Sequence, residues 1–256
     1  MIANAPGGDV RGKEPPARYE FVLDRLPDRP VRVVEIGCGD GDLARAMARA
    51  GHHVTAVDPQ APQEDAPTDR LEFRRGAFED AELTPGAFDV VVASLSLHHV
   101  GDLGYVLDKA AGLLREGGTV LVAEFGWDRI DEATARWYSA HLSAPPYPPE
   151  AFLAAHCDRW RQDAAAGRAR PLGEYVAEWA AGERMHPSSA LLRELRARFG
   201  QEHLAWLPYL HDGLTATEAD EAAAIRAGRI QPTGFHFTGA ATAAEPGGGG
   251  AGSGYR

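Results

Sequence analysis

Acids and glycines alternate in one short stretch of this chain. The apolar run Val31-Arg32-Val33-Val34-Glu35-Ile36 leads into Gly37-Cys38-Gly39-Asp40-Gly41-Asp42, and a second apolar run, Val54-Thr55-Ala56-Val57, ends at Asp58. Strand, glycine turn, helix and strand in this order form half of a nucleotide-binding α/β unit. Glycines without a Cβ let the backbone turn tightly and come close to a ligand. The helix that follows points its first amides at the turn. A dinucleotide fingerprint, Gly-x-Gly-x-x-Gly, would seat a pyrophosphate there. Its third glycine is here Asp42, and Glu35, Asp40 and Asp42 make the turn acidic. Such a turn repels a pyrophosphate and suits a sulfonium and an ammonium group. Cys38 is accounted for by its small size.

A second group of residues could move a proton. His98 and His99 follow the apolar run Phe88-Asp89-Val90-Val91-Val92-Ala93-Ser94, and Glu124 closes Thr119-Val120-Leu121-Val122-Ala123. An imidazole titrates near neutrality and suits a general base. His99 is the first candidate and His98 the second; packing or capping at the start of the next helix accounts for either equally well. Glu124 could orient a histidine, hold an acceptor, or be satisfied structurally. The only cysteines are Cys38 and Cys157, so there is neither a disulfide framework nor zinc spacing. Two adjacent histidines without a third ligand are no metal site, and none is expected.

These groups need a scaffold. Tyr19, Val22, Leu23 and Leu26 have helical spacing, and Pro27 and Pro30 end that helix before the first strand. Leu43, Met47 and Ala50 mark the helix after the glycine turn, with Gly51 as its C-cap. His52 and His53 open the second strand at the sheet's N-terminal edge, where a surface role is expected, because ligands bind beyond the carboxyl ends of the strands. Leu71-Glu72-Phe73 reads as strand three, 88–94 as strand four and 119–125 as strand five, after a turn at Gly117-Gly118. Residues 128–199 read as helices with scattered aromatics, interrupted by the stiff linker Pro145-Pro146-Tyr147-Pro148-Pro149. Within that reading Leu191, Leu192, Leu195 and Phe199 share one helix. Trp127, Tyr147, Trp179 and His236 could line a pocket or be ordinary core. The last strands are expected at 203–210 and 234–238, joined by a helix over 216–227. Residues 1–14 read as a disordered N-terminus and the Gly/Ala-rich 240–256 as a flexible tail.

The spacing Glu35-x-Gly37-x-Gly39-x-Gly41 resembles motif I of the class I S-adenosylmethionine-dependent methyltransferases, and Asp58 resembles that family's ribose-binding acid. Residues 88–125 are similar to its small-molecule bacterial members, which carry a similar double histidine; the likeness covers about 31–127. It implies a doubly wound, mostly parallel seven-stranded Rossmann-like sheet closed by an antiparallel pair. A methyltransferase domain would then occupy 15–239, with 128–199 as a helical lid. It implies S-adenosyl-L-methionine as cofactor, held by Glu35, Gly37, Cys38, Gly39, Gly41, Asp58 and Pro59, and at the end of strand four by Ser94 and Leu95. In the family an acid after the strand-three glycine receives the adenine amine. Ala77 stands there, so Phe78, through its amide and ring, is the substitute, with Glu79 as the other option.

Net charge of −11 and a pI of about 5.4 argue against a nucleic-acid substrate. No apolar run is long enough for a signal peptide or membrane span, so a cytoplasmic protein is expected. The expected function is methylation of a small-molecule acceptor at oxygen or nitrogen. The alternatives are a protein of this fold that binds S-adenosylmethionine without transferring methyl, and an NAD-dependent oxidoreductase.

Overall fold

A computed structural model describes residues 17–63 and 69–241. Its strands are β1 (Arg32–Ile36), β2 (His53–Asp58), β3 (Leu71–Arg75), β4 (Phe88–Ser94), β5 (Leu114–Phe125), β6 (Phe199–Leu207) and β7 (Gly234–Ala241). They form one sheet in the order β3-β2-β1-β4-β5-β7-β6. β1 to β5 are parallel, and β7 runs antiparallel to both β5 and β6. The central strands read as unbroken apolar runs because both faces are covered. Val33, Val90, Val92, Leu121 and Ala123 share one core with α1 (Ala17–Leu23) and α2 (Asp42–Arg49). Val34, Ile36, Val91, Ala93, Val120 and Val122 share the other with α3 (Leu103–Leu113) and Leu191, Leu192 and Leu195.

The expected helical region 128–199 divides into two parts. α4 (Glu132–Ala140), α5 (Ala154–Ala165) and α6 (Leu172–Gly182) pack on one another through Tyr138, Cys157, Leu172, Tyr175 and Val176. α7 (Ser188–Arg198) instead covers the sheet beside α3. Asp128 ties the two ends together. Its Oδ1 accepts from Ser188 N at 2.7 Å and Oγ at 2.6 Å, and its Oδ2 from Ser189 N at 3.2 Å. A carboxylate far back in sequence thus satisfies amides at the start of α7 that have no partner within the helix.

Several boundaries differ from expectation. Gly117 and Gly118 lie within β5 rather than before it: Leu114 pairs with Phe88 and Thr119 with Val90, and the intervening residues bulge. β6 begins at Phe199, whose backbone is already extended (φ −127°, ψ 129°). It ends at Leu207 because Pro208 has no N–H for the ladder. β7 takes in Ala240 and Ala241, which the tail was expected to include. α8 (Glu218–Arg226) lies inside the expected span. His52 is buried, contrary to a surface role, whereas His53 is exposed. Residues 1–14 and 242–256 lie outside the described residues. No helix among those described is long and apolar enough to cross a membrane.

Candidate active site

β1 and β2 end at the same sheet edge, and the glycine turn rises between them. Gly37, Gly39 and Gly41 all have positive φ, at 71°, 52° and 82°. Their surroundings differ. A Cβ on Gly37 would lie 2.3 Å from Ser96 Cβ, and one on Gly41 would lie 2.5 Å from the Phe73 ring. Among the described residues nothing lies within 4 Å of the same position on Gly39. Gly37 and Gly41 therefore lock the turn against the loop after β4 and against β3, and Gly39 meets open space. Cys38 is buried beside them, with a free thiol.

Two acids frame this turn. Asp58 Oδ2 accepts from Gly39 N at 3.0 Å and Oδ1 from Gln60 N at 2.6 Å, so each oxygen keeps a lone pair for a ligand hydroxyl. The carbonyl of Pro59, the exposed residue that follows, accepts from Arg75 Nε at 3.2 Å. Glu35 is only 2 % exposed, and its Oε2 has no hydrogen-bond partner among the described residues. Burial, and then the charges of Asp40 and Asp58, push its carboxyl from an ordinary 4.5 up to about 8. A buried, unpaired acid beside two others and an open glycine backbone fits a ligand with a positively charged end.

Phe78 begins a 3-10 turn, Phe78–Asp80, with Ala77 half-buried before it. The Phe78 ring lies in the core shared with α3. It therefore cannot stack on a base, contrary to expectation, and the backbone is what the position offers. Glu79 turns its carboxylate toward Gly101 N, at 3.4 Å.

The histidines sit at the next strand's end. Ser94 closes β4 and Leu95 follows in the left-handed region, at φ 53°, a strained conformation for a residue of this size. Leu95 N donates to Ala123 O at 2.8 Å. Beyond it, Glu124 Oε1 accepts from Ser96 N at 2.7 Å and Leu97 N at 2.6 Å. Glu124 Oε2 accepts from Phe125 N at 3.3 Å and lies 2.6 Å from His98 Nδ1. A carboxylate there makes Nδ1 the protonated nitrogen and leaves Nε2 with its lone pair. His98 is buried, and Nε2 makes no hydrogen bond among the described residues. His99 is exposed, its ring 4.2 Å from that of His98. Of the two candidates, His98 is the one held against Glu124, and His99 stands at the surface.

An aromatic wall adjoins His98. The Phe125 ring meets it edge-on at 5.0 Å and stacks on Tyr209 at 4.9 Å, while Phe152 and Trp179 pack together at 5.2 Å beside Phe125. Trp127 belongs to the same cluster, with a buried Nε1 that has no partner among the described residues. Of the four aromatic candidates, Trp127 and Trp179 are brought here. Tyr147 donates to Asp158 at 2.9 Å, and His236 stacks on Phe21 at 3.8 Å under α1, pushed down to about 4 by burial and by Arg25 and His203. Phe125, Phe152 and Tyr209 come from three separate segments, and no local pattern singles them out. Among the described residues no three metal-binding side chains cluster.

A family model described as a methyltransferase domain matches residues 11–167. A ubiquinone biosynthesis O-methyltransferase of Xylella fastidiosa is 38% identical over an alignment 118 residues long that covers 42% of this chain and 47% of that protein. The chain thus spans about half the length of the curated relatives it matches. Two solved structures share the fold. Geranyl diphosphate C-methyltransferase from Streptomyces coelicolor, in complex with Mg2+, geranyl diphosphate and S-adenosyl-L-homocysteine, has a TM-score of 0.54 at 17% identity, covering 88% of this chain and 80% of that one. The 1,6-didemethyltoxoflavin-N1-methyltransferase of Burkholderia thailandensis, with 1,6-didemethyltoxoflavin and S-adenosylhomocysteine bound, has 0.52 at 20% identity, covering 89% and 77%. A match running through more than half the chain, on a sheet of this strand order, makes the chain a member of the class I methyltransferase family, whose cofactor is S-adenosyl-L-methionine.

Proposed function

We infer that this protein methylates a small molecule with an apolar or aromatic body and an O–H or N–H group, and that His98 takes the proton. The observation that carries this reading is the Glu124–His98 pair, buried at the same sheet edge as the acidic glycine turn and bordered by Phe125. S-adenosylmethionine, when bound, supplies a methyl group on a sulfonium. Glu35 would face its ammonium and Asp58 its ribose hydroxyls. Gly37, Cys38, Gly39 and Gly41 would wall the turn, Pro59, Ser94 and Leu95 its rim, and the backbone at Ala77 and Phe78 the base. Methyl transfer is an in-line displacement, so holding the acceptor at the right distance supplies much of the rate. Phe125, Phe152, Trp179 and Tyr209 exclude water and offer flat apolar surface to the acceptor's body. The acceptor would pass its O–H or N–H proton to His98 Nε2, leaving the lone pair of that oxygen or nitrogen free for the methyl group that the cofactor supplies when bound. Glu124 acts through His98, fixing its tautomer and stabilising the imidazolium. The O-methyltransferase relative favours oxygen as the atom methylated. The nicotinamide reading falls with the family assignment.

The test is a labelled-methyl assay against a panel of phenols and catechols. His98→Ala should lower turnover by about 10²–10⁴ with S-adenosylhomocysteine affinity unchanged. His99→Ala should stay near wild type. Glu124→Gln should fall between them. Full turnover in His98→Ala on an acceptor the wild type uses would end the assignment of the base.

A further inference from the structure

Lys109, on α3, lies outside every motif of the sequence, yet its ammonium is fully committed. Nζ donates to Phe78 O at 2.8 Å, Glu79 O at 2.9 Å and Ala81 O at 2.6 Å, and it lies 5.2 Å from the Phe78 ring centroid. An ammonium has three donors, and three carbonyls of one short loop use them all. Carbonyl oxygens turned toward one point repel one another unless a cation sits among them. The loop's own backbone adds Asp80 N to Ala77 O at 3.1 Å and Ala81 N to Phe78 O at 3.3 Å, while the buried Phe78 ring and the Glu79 carboxylate on Gly101 N anchor its side chains. In a trans peptide the C=O and N–H point in opposite directions. Holding the Phe78 carbonyl toward α3 therefore turns the Glu79 N–H away from it. Because Ala77 stands where an acid would receive the adenine amine, reading of the base falls to this backbone.

We propose that Lys109 is a positioning residue for cofactor recognition: by gathering the carbonyls of Phe78, Glu79 and Ala81 it sets the peptide planes that read the adenine edge. The proposal rests on the assignment of residues 77–81 to the base. It also links two parts of the site, since α3 follows directly on the histidine loop, whose Gly101 N donates to Glu79 Oε1.

The experiment is calorimetric titration of the full chain with S-adenosylhomocysteine and with S-inosylhomocysteine, which carries a 6-oxo group in place of the 6-amino group. Lys109→Met should weaken S-adenosylhomocysteine about tenfold, the size of effect expected for one charged hydrogen-bonding group. It should weaken the inosine analogue less, so that the preference for adenine shrinks. Hydrogen exchange at 78–81 should speed up while β1 and β4 keep their protection. Lys109→Gln, which retains a donor, should show a smaller loss in the same direction, and it stands in if Lys109→Met does not fold. Equal affinity in wild type and Lys109→Met, or an equal loss for both ligands, overturns the proposal. A wild type that binds neither ligand removes the cofactor assignment itself and this proposal with it, a result visible before any variant is made.

Discussion

Glu35→Gln should make the protein more stable and its cofactor affinity poorer. The carboxyl is 2 % exposed, one oxygen has no hydrogen bond among the described residues, and burial beside Asp40 and Asp58 pushes it from 4.5 up to about 8. The folded state therefore binds this proton more tightly than the unfolded chain. Unfolding between pH 4.5 and about 8 releases it, and stability falls as pH rises through that window. At 1.36 kcal/mol per pH unit, ionisation favours the unfolded chain by up to about 3 kcal/mol at pH 7. Glutamine has nearly the same shape and cannot ionise. Urea unfolding should show Glu35→Gln ahead by up to about 3 kcal/mol at pH 7, with the gap closing toward pH 4.5, at constant m. A gap that does not change between pH 5 and 8 refutes the reasoning. Binding should show the converse. On the function proposed above, the ligand's ammonium would ionise Glu35 and release its proton, so wild-type affinity for S-adenosylhomocysteine should rise between pH 6 and 8. The variant should lose this slope and about tenfold in affinity. Calorimetry in two buffers of different ionisation enthalpy counts the proton directly.

Gly37→Ala should cost at least about 2 kcal/mol by urea denaturation, because a left-handed residue acquires a Cβ 2.3 Å from Ser96 Cβ. Adding Ser96→Gly should recover the steric part and leave about 1–2 kcal/mol of backbone cost. Glu221 is fully buried and accepts from Tyr209 N at 2.9 Å, Leu210 N at 3.1 Å, His211 N at 2.9 Å and His211 Nδ1 at 2.9 Å. Its bond to His211, with the charge of Asp212, holds that imidazole above its ordinary range against the opposing effect of burial. His211→Asn should thus destabilise most below about pH 6.5 and lose its effect as pH rises through the raised titration, as thermal melts across pH will show. Glu221→Ala should cost about 3–5 kcal/mol in urea, because it leaves buried donors unmet.

What the sequence revealed was local and what it withheld was tertiary. The run from Val31 to Asp58 shows its fold because strand, glycine turn, helix and strand each carry their own short-range signature. α7 does not: Leu191, Leu192 and Leu195 have the same helical spacing whether they pack on α6 or on the sheet, so spacing alone does not separate this helix from the region before it. Phe78 was expected to offer its ring because the position, and not the rotamer, is written in the chain. His98 and His99 are neighbours of identical chemistry, and only the path of the loop over Glu124 separates the buried one from the exposed one. Glu221 and Lys109 carry no motif at all. Each is an ordinary helix residue until the fold brings backbone groups from another segment to it.

The Asp128–Ser188 clasp has a consequence for how such a chain changes its chemistry. Because one carboxylate holds both ends of the excursion that carries α4, α5 and α6, that excursion leaves and rejoins the sheet at a single point. A segment with adjoining ends can be exchanged for another of different length without stretching the scaffold beneath it. The exchange must respect residues 208–216, since Thr215 N donates to His141 O at 2.8 Å and Leu214 bridges Leu142. On the function proposed above, a graft that carries both pieces, joined at 128 and 188, would transplant an acceptor preference while leaving Glu35, Asp58 and the glycine turn untouched. Diversification can then proceed by replacing one module, and the half that carries the glycine turn is inherited unchanged.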